Sequence, residues 1–161
     1  MAGTGEWQTR RMSNLIDGGA HFYGVYECAD GKFITIAAIE PQFYAQFLEV
    51  VGFAADPAFA DQNDMTRWPA LRDRLAALFA TKTRDEWSAL LEGTDVCFAP
   101  VLDLNEAPSH PHMIAREIFR TIDGSPAPGP APRFLGTPST TRSSCRDQSI
   151  AALAANWTRP Y

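Results

Sequence analysis

The stretch "FYGVYECADGKFITIAAI" (22–39) constrains the fold more than any other part of the chain. Two runs rich in aromatic and β-branched residues flank Asp30-Gly31, and an Asp-Gly pair in that setting is the strongest short-range signal for a β-hairpin. In the second run Phe33, Thr35, Ala37 and Ile39 share one face of a strand, while Ile34, Ile36 and Ala38 share the other. Both faces are mostly apolar, so this strand is expected to be covered on both sides. "PQFYAQFLEVVG" then reads as a helix, with Phe43, Phe47 and Val51 at i, i+4 and i+8 and Gly52 as its stop.

Glu40 stands where that strand hands over to the helix. Pro41 fits the first helical position, where its missing N–H costs nothing, and a residue before proline avoids helical dihedrals. Glu40 therefore occupies the N-cap slot, normally filled by Ser, Thr, Asp or Asn. Its side chain is one methylene too long to cap well. A carboxylate there is either a chance partner of the helix dipole or an anion aimed at something outside the helix.

Further along, Trp68, Leu71, Leu75, Leu78 and Phe79 form a helical stripe. Thr83 and Glu86 make a capping box ahead of Trp87, Leu90 and Leu91, and Gly93 ends that helix. "VCFAPVLD" reads as a short strand that Pro100 confines to an edge, with Cys97 as a core thiol of that strand. Asp103 and Glu106 repeat the capping-box spacing, but Pro108 and Pro111 keep any helix there short. "EIFRTID" is the last candidate strand. "GSPAPGPAPRFLGTPS" holds five of the twelve prolines and reads as an extended connector. "RDQSIAALAANW" (146–157) reads as a short helix. The expected fold is α+β: a small antiparallel sheet with a β-hairpin packed against several helices, plus extended N- and C-terminal linker segments. Three parts are expected: a linker over 1–20, a small α+β domain over 21–122, and a Pro-rich return segment over 123–161. The first and last are expected to make few contacts with their own core and to favour self-association.

Composition narrows the function. With 161 residues and 45% hydrophobic content the chain can bury a core. A net charge of −5, with no basic cluster larger than "TRR" at 9–11, argues against nucleic acid and anionic membrane surfaces as partners. No apolar stretch approaches the roughly 18 residues of a spanning helix, and "MAGTGEWQTRR" lacks a signal-peptide apolar region. Cys28, Cys97 and Cys145 form neither a disulfide framework nor a metal or redox motif. A cytoplasmic location is expected. His110, His112 and Glu106 invite a reading as a metal trio, but Pro111 denies the histidines a common helical face, so no metal site is expected. Tyr23, Tyr26 and Phe33 read as hairpin packing, and Asp17-Gly18-Gly19 reads as a turn. From the residues alone, no reaction is named.

Three segments change that: "NLIDGGAHFYGVYECADGKFITIAAIEPQFY" (14–44), "GTDVCFAPVLD" (93–103) and "PRFLGTPS" (132–139). In this order and at these separations the chain resembles the C-terminal part of α-methylacyl-CoA racemases, within the family III CoA-transferase (CaiB/BaiF-like) superfamily. "DGG..FY" and "CADG" are shared widely in the superfamily, whereas the run around "AIEPQFY" resembles the racemase branch.

The resemblance implies inversion of the 2-methyl centre of an acyl-CoA thioester by proton abstraction and reprotonation through an enolate. It also implies an acid/base pair, a histidine and an aspartate, on a large N-terminal domain that these 161 residues do not contain. His21, His110 and His112 do not match that histidine's motif, and at His21 the racemases usually show proline. Glu40 matches a glutamate that reaches from the small domain to hydrogen-bond the catalytic histidine. Leu15, Ile16, Tyr23 and Ile39 match positions lining the acyl-chain pocket, and Asp17, Gly18 and Gly19 are structural beside it. The implied partners are an acyl-CoA thioester, the large domain and a second copy in an interlocked dimer. No separate cofactor is implied, since CoA is part of the substrate. Alone, the chain is expected to be inactive. A family III CoA-transferase and a non-catalytic acyl-CoA- or protein-binding module remain the alternatives.

Overall fold

The computed structural model describes residues 7–139 together with Gly3, Ile150 and Ala154. Contacts divide the chain into two units, Met1–Val101 and Leu102–Tyr161. Both contain antiparallel strands and helices, so the fold is α+β.

In the first unit β1 (Tyr23–Glu27) and β2 (Phe33–Ala37) form the hairpin, paired from Tyr23 opposite Ala37 to Glu27 opposite Phe33. Gly31, at φ 73°, takes the left-handed conformation the tight turn needs. The hairpin tip is docked: the Ala29 N–H donates to the Lys82 carbonyl at 2.9 Å, and the Arg84 N–H to Asp30 Oδ1 at 3.3 Å. β3 (Phe98–Val101) adds antiparallel to β2, giving the order β1-β2-β3. Pro100 therefore lies on an edge strand, as its missing N–H requires.

Three helices pack on one face of this sheet's unit: α1 (Pro41–Val51), α2 (Trp68–Phe79) and α3 (Arg84–Leu91). α1 ends at Gly52 in a left-handed cap, and α3 opens with the Thr83–Glu86 capping box. Ile34, Ile36, Phe47, Leu75, Phe79 and Leu91 are fully buried in one core. Phe79 sits among Tyr26, Phe47 and Trp87, with ring centroids 5.0, 6.3 and 5.0 Å away.

Some expectations need correction. Only the Ile34/Ile36/Ala38 face of β2 is covered. On the other face Phe33 and Ile39 remain 42% and 36% exposed, because the helices of this unit supply a single covering layer. Cys97 is not a strand-core thiol: it is exposed, at φ 52°, immediately before β3. Residues 13–20 are not loosely attached, since Asn14 and Ala20 are buried and Arg72 of α2 donates to the Gly18 carbonyl at 2.7 Å.

The second unit has a one-turn 3-10 helix (Ala107–Ser109), the short α4 (Pro111–Ala115), and a hairpin of β4 (Phe119–Ile122) and β5 (Ser125–Pro128). β5 falls within the stretch read as a connector. It is extended, as prolines favour, but it is also paired. Ile118 accepts a 2.7 Å hydrogen bond from the Gly129 N–H, and antiparallel pairs alternate between bonded and non-bonded. Counting inward, Pro128 opposite Phe119 and Pro126 opposite Thr121 fall on non-bonded positions, where no N–H is needed. None of the described residues of this unit is buried. The helix expected at 146–157 lies outside the described residues.

Candidate functional site

The strand–helix junction is built from the backbone outward. β2 ends at Ala37 and α1 begins at Pro41, so Ala38, Ile39 and Glu40 belong to neither element. Glu40 has φ −70° and ψ 139°, the extended conformation imposed on a residue before proline. Its carbonyl accepts from the Tyr44 N–H at 3.0 Å, which starts the helix. Its side chain makes no capping hydrogen bond, and the residue is exposed. The carboxylate is thus not spent on its own helix. Its charge is felt at Cys97, whose thiol is pushed up by partial burial and then by the Glu40 and Asp95 carboxylates.

A second loop leads into the same end of the sheet. Asp17 ties it together: one carboxylate oxygen accepts from the Asn14 and Gly19 amides at 2.8 and 3.1 Å, the other from the Asn14 side-chain amide and the Ser13 N–H. Partial burial opposes the charged form of Asp17, but these hydrogen bonds outweigh it and hold the carboxyl below its ordinary value. Gly19 has no room for a side chain, since a Cβ would lie 2.7 Å from the Asn14 nitrogen and oxygen. Gly24 likewise leaves space for Arg72, whose guanidinium would be 2.6 Å from an added Cβ. That guanidinium holds the Gly18 carbonyl and lies 5.2 Å from the Tyr26 ring centre. Asp17, Gly18 and Gly19 therefore form a built turn.

Tyr23, Ile39 and Glu40 lie at the end of the hairpin opposite Asp30-Gly31. Tyr23 is half-buried at the start of β1, paired with Ala37, two residues before Ile39. Leu15 and Ile16, 37% and 50% exposed, lie on the Asp17 loop that delivers the chain to Tyr23. Two apolar side chains, Tyr23 and Ile39, and the Glu40 carboxylate thus stand at one end of the hairpin.

Sequence reasoning passes over Gln62 and gives His21 no role. Gln62, in the loop before α2, is buried and donates to the carbonyls of Ala38 and Ile39. His21 is fully buried, edge-on to Phe22, Tyr44 and Phe59. The Tyr44 hydroxyl donates to the Phe59 carbonyl at 3.1 Å, so at 2.7 Å it accepts from His21 Nε2–H. His21 Nδ1 is left buried without a partner. Burial holds this imidazole down to a pKa of about 4, so it is neutral at physiological pH. It packs as a core residue. His110 instead caps α4, its Nδ1 accepting from the His112 N–H at 3.3 Å. Among the described residues no cluster of His, Cys, Asp and Glu is arranged to hold a metal ion, and no helix is long and apolar enough to cross a membrane.

Residues 2–148 match CoA-transferase family III, and the chain belongs to that family. It is 40% identical over 159 residues to the alpha-methylacyl-CoA racemase of Mus musculus, which spans 98% of this chain and 41% of the mouse protein. The alpha-methylacyl-CoA racemase of Homo sapiens is 40% identical over 134 residues, covering 83% of this chain and 35% of that protein. The present chain therefore spans about two-fifths of the length of the mouse relative. Among solved structures, a CaiB/BaiF family protein from Brucella suis superposes with a TM-score of 0.64 at 21% identity, covering 83% of this chain and 37% of that one. That likeness supports the fold.

Proposed function

We propose that the chain is the small-domain part of a 2-methylacyl-CoA racemase, an isomerase acting on acyl-CoA thioesters in lipid and fatty-acid metabolism in the cytoplasm. In this reading residues 1–20 lead in from a large domain, 21–122 are the small domain, and 123–161 return to the large one. In the whole enzyme a base on the large domain removes the α-proton from one face. The electron pair is held as an enolate on the thioester oxygen, and an acid on the other face returns a proton to carbon. Glu40 orients the catalytic histidine and stabilises its protonated form, as the carboxylate of a catalytic triad does. Leu15, Ile16, Tyr23 and Ile39 offer an apolar wall of low specificity, suited to an acyl group that shifts between two faces. The enzyme works as an interlocked dimer in which the small domain of one copy closes the site of the other. No cofactor beyond the CoA of the substrate takes part.

The observation that carries this reading is Glu40 itself: an exposed carboxylate at a strand–helix junction, making no capping bond to the helix it precedes. The test uses the full-length protein with a single-enantiomer 2-methylacyl-CoA in deuterated water. Deuterium entering the α-position together with racemisation supports the reading, and Glu40→Gln lowers the rate about 10–100-fold. The 161-residue chain alone gives no racemisation above buffer. The family also contains CoA-transferases, which supplies the second reading. Transfer of CoA to a free carboxylic acid without α-proton exchange would establish that one, and binding without either reaction would leave a non-catalytic module.

A further inference from the structure

Glu40 projects from the junction between β2 and α1, where the helix fixes only one side of the residue. Two peptide planes meet at its Cα. The plane it shares with Pro41 is held by the Tyr44 N–H, which donates to the Glu40 carbonyl at 3.0 Å. The plane it shares with Ile39 is held from outside the junction: Gln62 Nε2 donates to the Ile39 carbonyl at 2.9 Å. The same nitrogen donates to the Ala38 carbonyl at 3.0 Å, so both of its hydrogens are spent on consecutive carbonyls. Gln62 is only 8% exposed, and its own carbonyl accepts from Trp68 Nε1–H at 2.9 Å. A rigid path therefore runs from core helix α2 through Trp68 and Gln62 to the peptide unit that carries Glu40.

We infer that Gln62 is a positioning residue for Glu40: by fixing the Ile39–Glu40 peptide plane it sets the direction in which the carboxylate leaves the fold. The inference rests on the reading of Glu40 as the carboxylate that faces the catalytic histidine. Gln62→Met removes both donors at nearly constant size; the Ala38–Ile39 peptide keeps the Ile39 N–H bond to the Ala37 carbonyl, whereas the Ile39–Glu40 peptide loses the bond that Gln62 gives it.

The test is a double-mutant cycle in the full-length enzyme, read by α-proton exchange across pH. Glu40→Gln lowers turnover about 10–100-fold, and Gln62→Met lowers it about 3–30-fold. On the Glu40→Gln background, Gln62→Met costs less than about a further twofold, because nothing remains to be aimed. Both single variants move the histidine-dependent limb of the kcat/KM profile to lower pH, since a carboxylate that no longer faces an imidazolium no longer raises its pKa. Thermal unfolding checks that each variant is folded. Should Gln62→Met fail to fold, Gln62→Asn, with the same amide one methylene short, takes its place in the cycle. A normal rate in Glu40→Gln overturns the reading of Glu40 and the inference with it. A normal effect of Glu40→Gln combined with a fully additive Gln62 variant, or with an unmoved pH limb, overturns the inference alone and leaves Gln62 a structural residue.

Discussion

The two units of this chain are made of similar pieces and differ in what those pieces bury. Met1–Val101 closes a hairpin, an edge strand and three helices around Phe47, Leu75, Phe79 and Leu91, all at 0% exposure. Leu102–Tyr161 also has a short helix and a hairpin, yet none of its described residues is buried, and Leu104 and Leu135 are 91% and 101% exposed. Secondary structure alone does not make a stable body. A two-stranded hairpin is marginal in water without a hydrophobic face packed on something. The first unit has a buried core to hold it, whereas the described residues of the second are tied by bonds such as those from Arg133 to the Arg116 and Glu117 carbonyls.

The largest expected effect tests that difference directly. Phe47→Ala removes a ring from the centre of the core and should cost about 3–5 kcal/mol. Phe119→Ala removes the same ring from β4, where it is half-exposed, and should change global stability by less than about 1 kcal/mol. Urea unfolding of the 161-residue chain measures both. A loss at Phe119 approaching that at Phe47 would mean that the second unit shares a core after all.

Acid gives the next way to separate the units. His21 is buried in the first, whereas neither histidine of the second, His110 and His112, is buried. The pKa of His21 is about 4 in the fold, against 6.5 for the ordinary group. As pH falls through 6.5 the unfolded chain takes up a proton that the folded chain refuses until near pH 4. Stability is therefore complete above about pH 7 and drains away between 6.5 and 4, by up to about 3 kcal/mol. Asp17, Asp56 and Asp64, held below 3.8, add their losses only beneath that window. Urea midpoints at pH 7.5 and 4.5 should differ strongly for the parent and little for His21→Leu, in which Tyr44 keeps its bond to the Phe59 carbonyl. An equal acid loss in both would show that another group carries it.

The sequence was most legible where local signals and burial agree. Asp30-Gly31 joins two alternating apolar runs and reads as a hairpin. Asp123-Gly124 is the same dipeptide, with φ 50° and 80°, and turns β4 into β5. The prolines that follow argue against a strand, and only the register reveals that they occupy non-bonded positions. The covering of β2 is illegible for a different reason: an apolar face in the sequence says that something should cover it, not that this chain supplies the cover. Glu40 was conspicuous because its position before Pro41 breaks the capping rule. Gln62 was silent, since a glutamine in a loop signals nothing until its amide is seen on carbonyls 23 and 24 residues away. Arg72 was silent for the same reason, its target being the Gly18 carbonyl 54 residues earlier.

The two Asp-Gly turns supply the finest test of the comparison. Gly31 at φ 73° and Gly124 at φ 80° both occupy the left-handed region, and neither has a neighbour within 4 Å of an added Cβ. Alanine at either position therefore meets open space and pays only for backbone strain, about 1–2 kcal/mol. The strain is equal, but what it is charged against differs. At Gly31 it loosens a hairpin tip bonded to Lys82 and Arg84, in the unit whose core sets global stability, so Gly31→Ala should lower the urea midpoint. At Gly124 it opens a hairpin with no buried residue, so Gly124→Ala should speed amide exchange over 119–128 and leave the midpoint within about 0.5 kcal/mol of the parent. Should Gly124→Ala instead lower the midpoint as far as Gly31→Ala does, the second hairpin would unfold together with the first, and the contrast between a self-sufficient unit and a dependent one would fail.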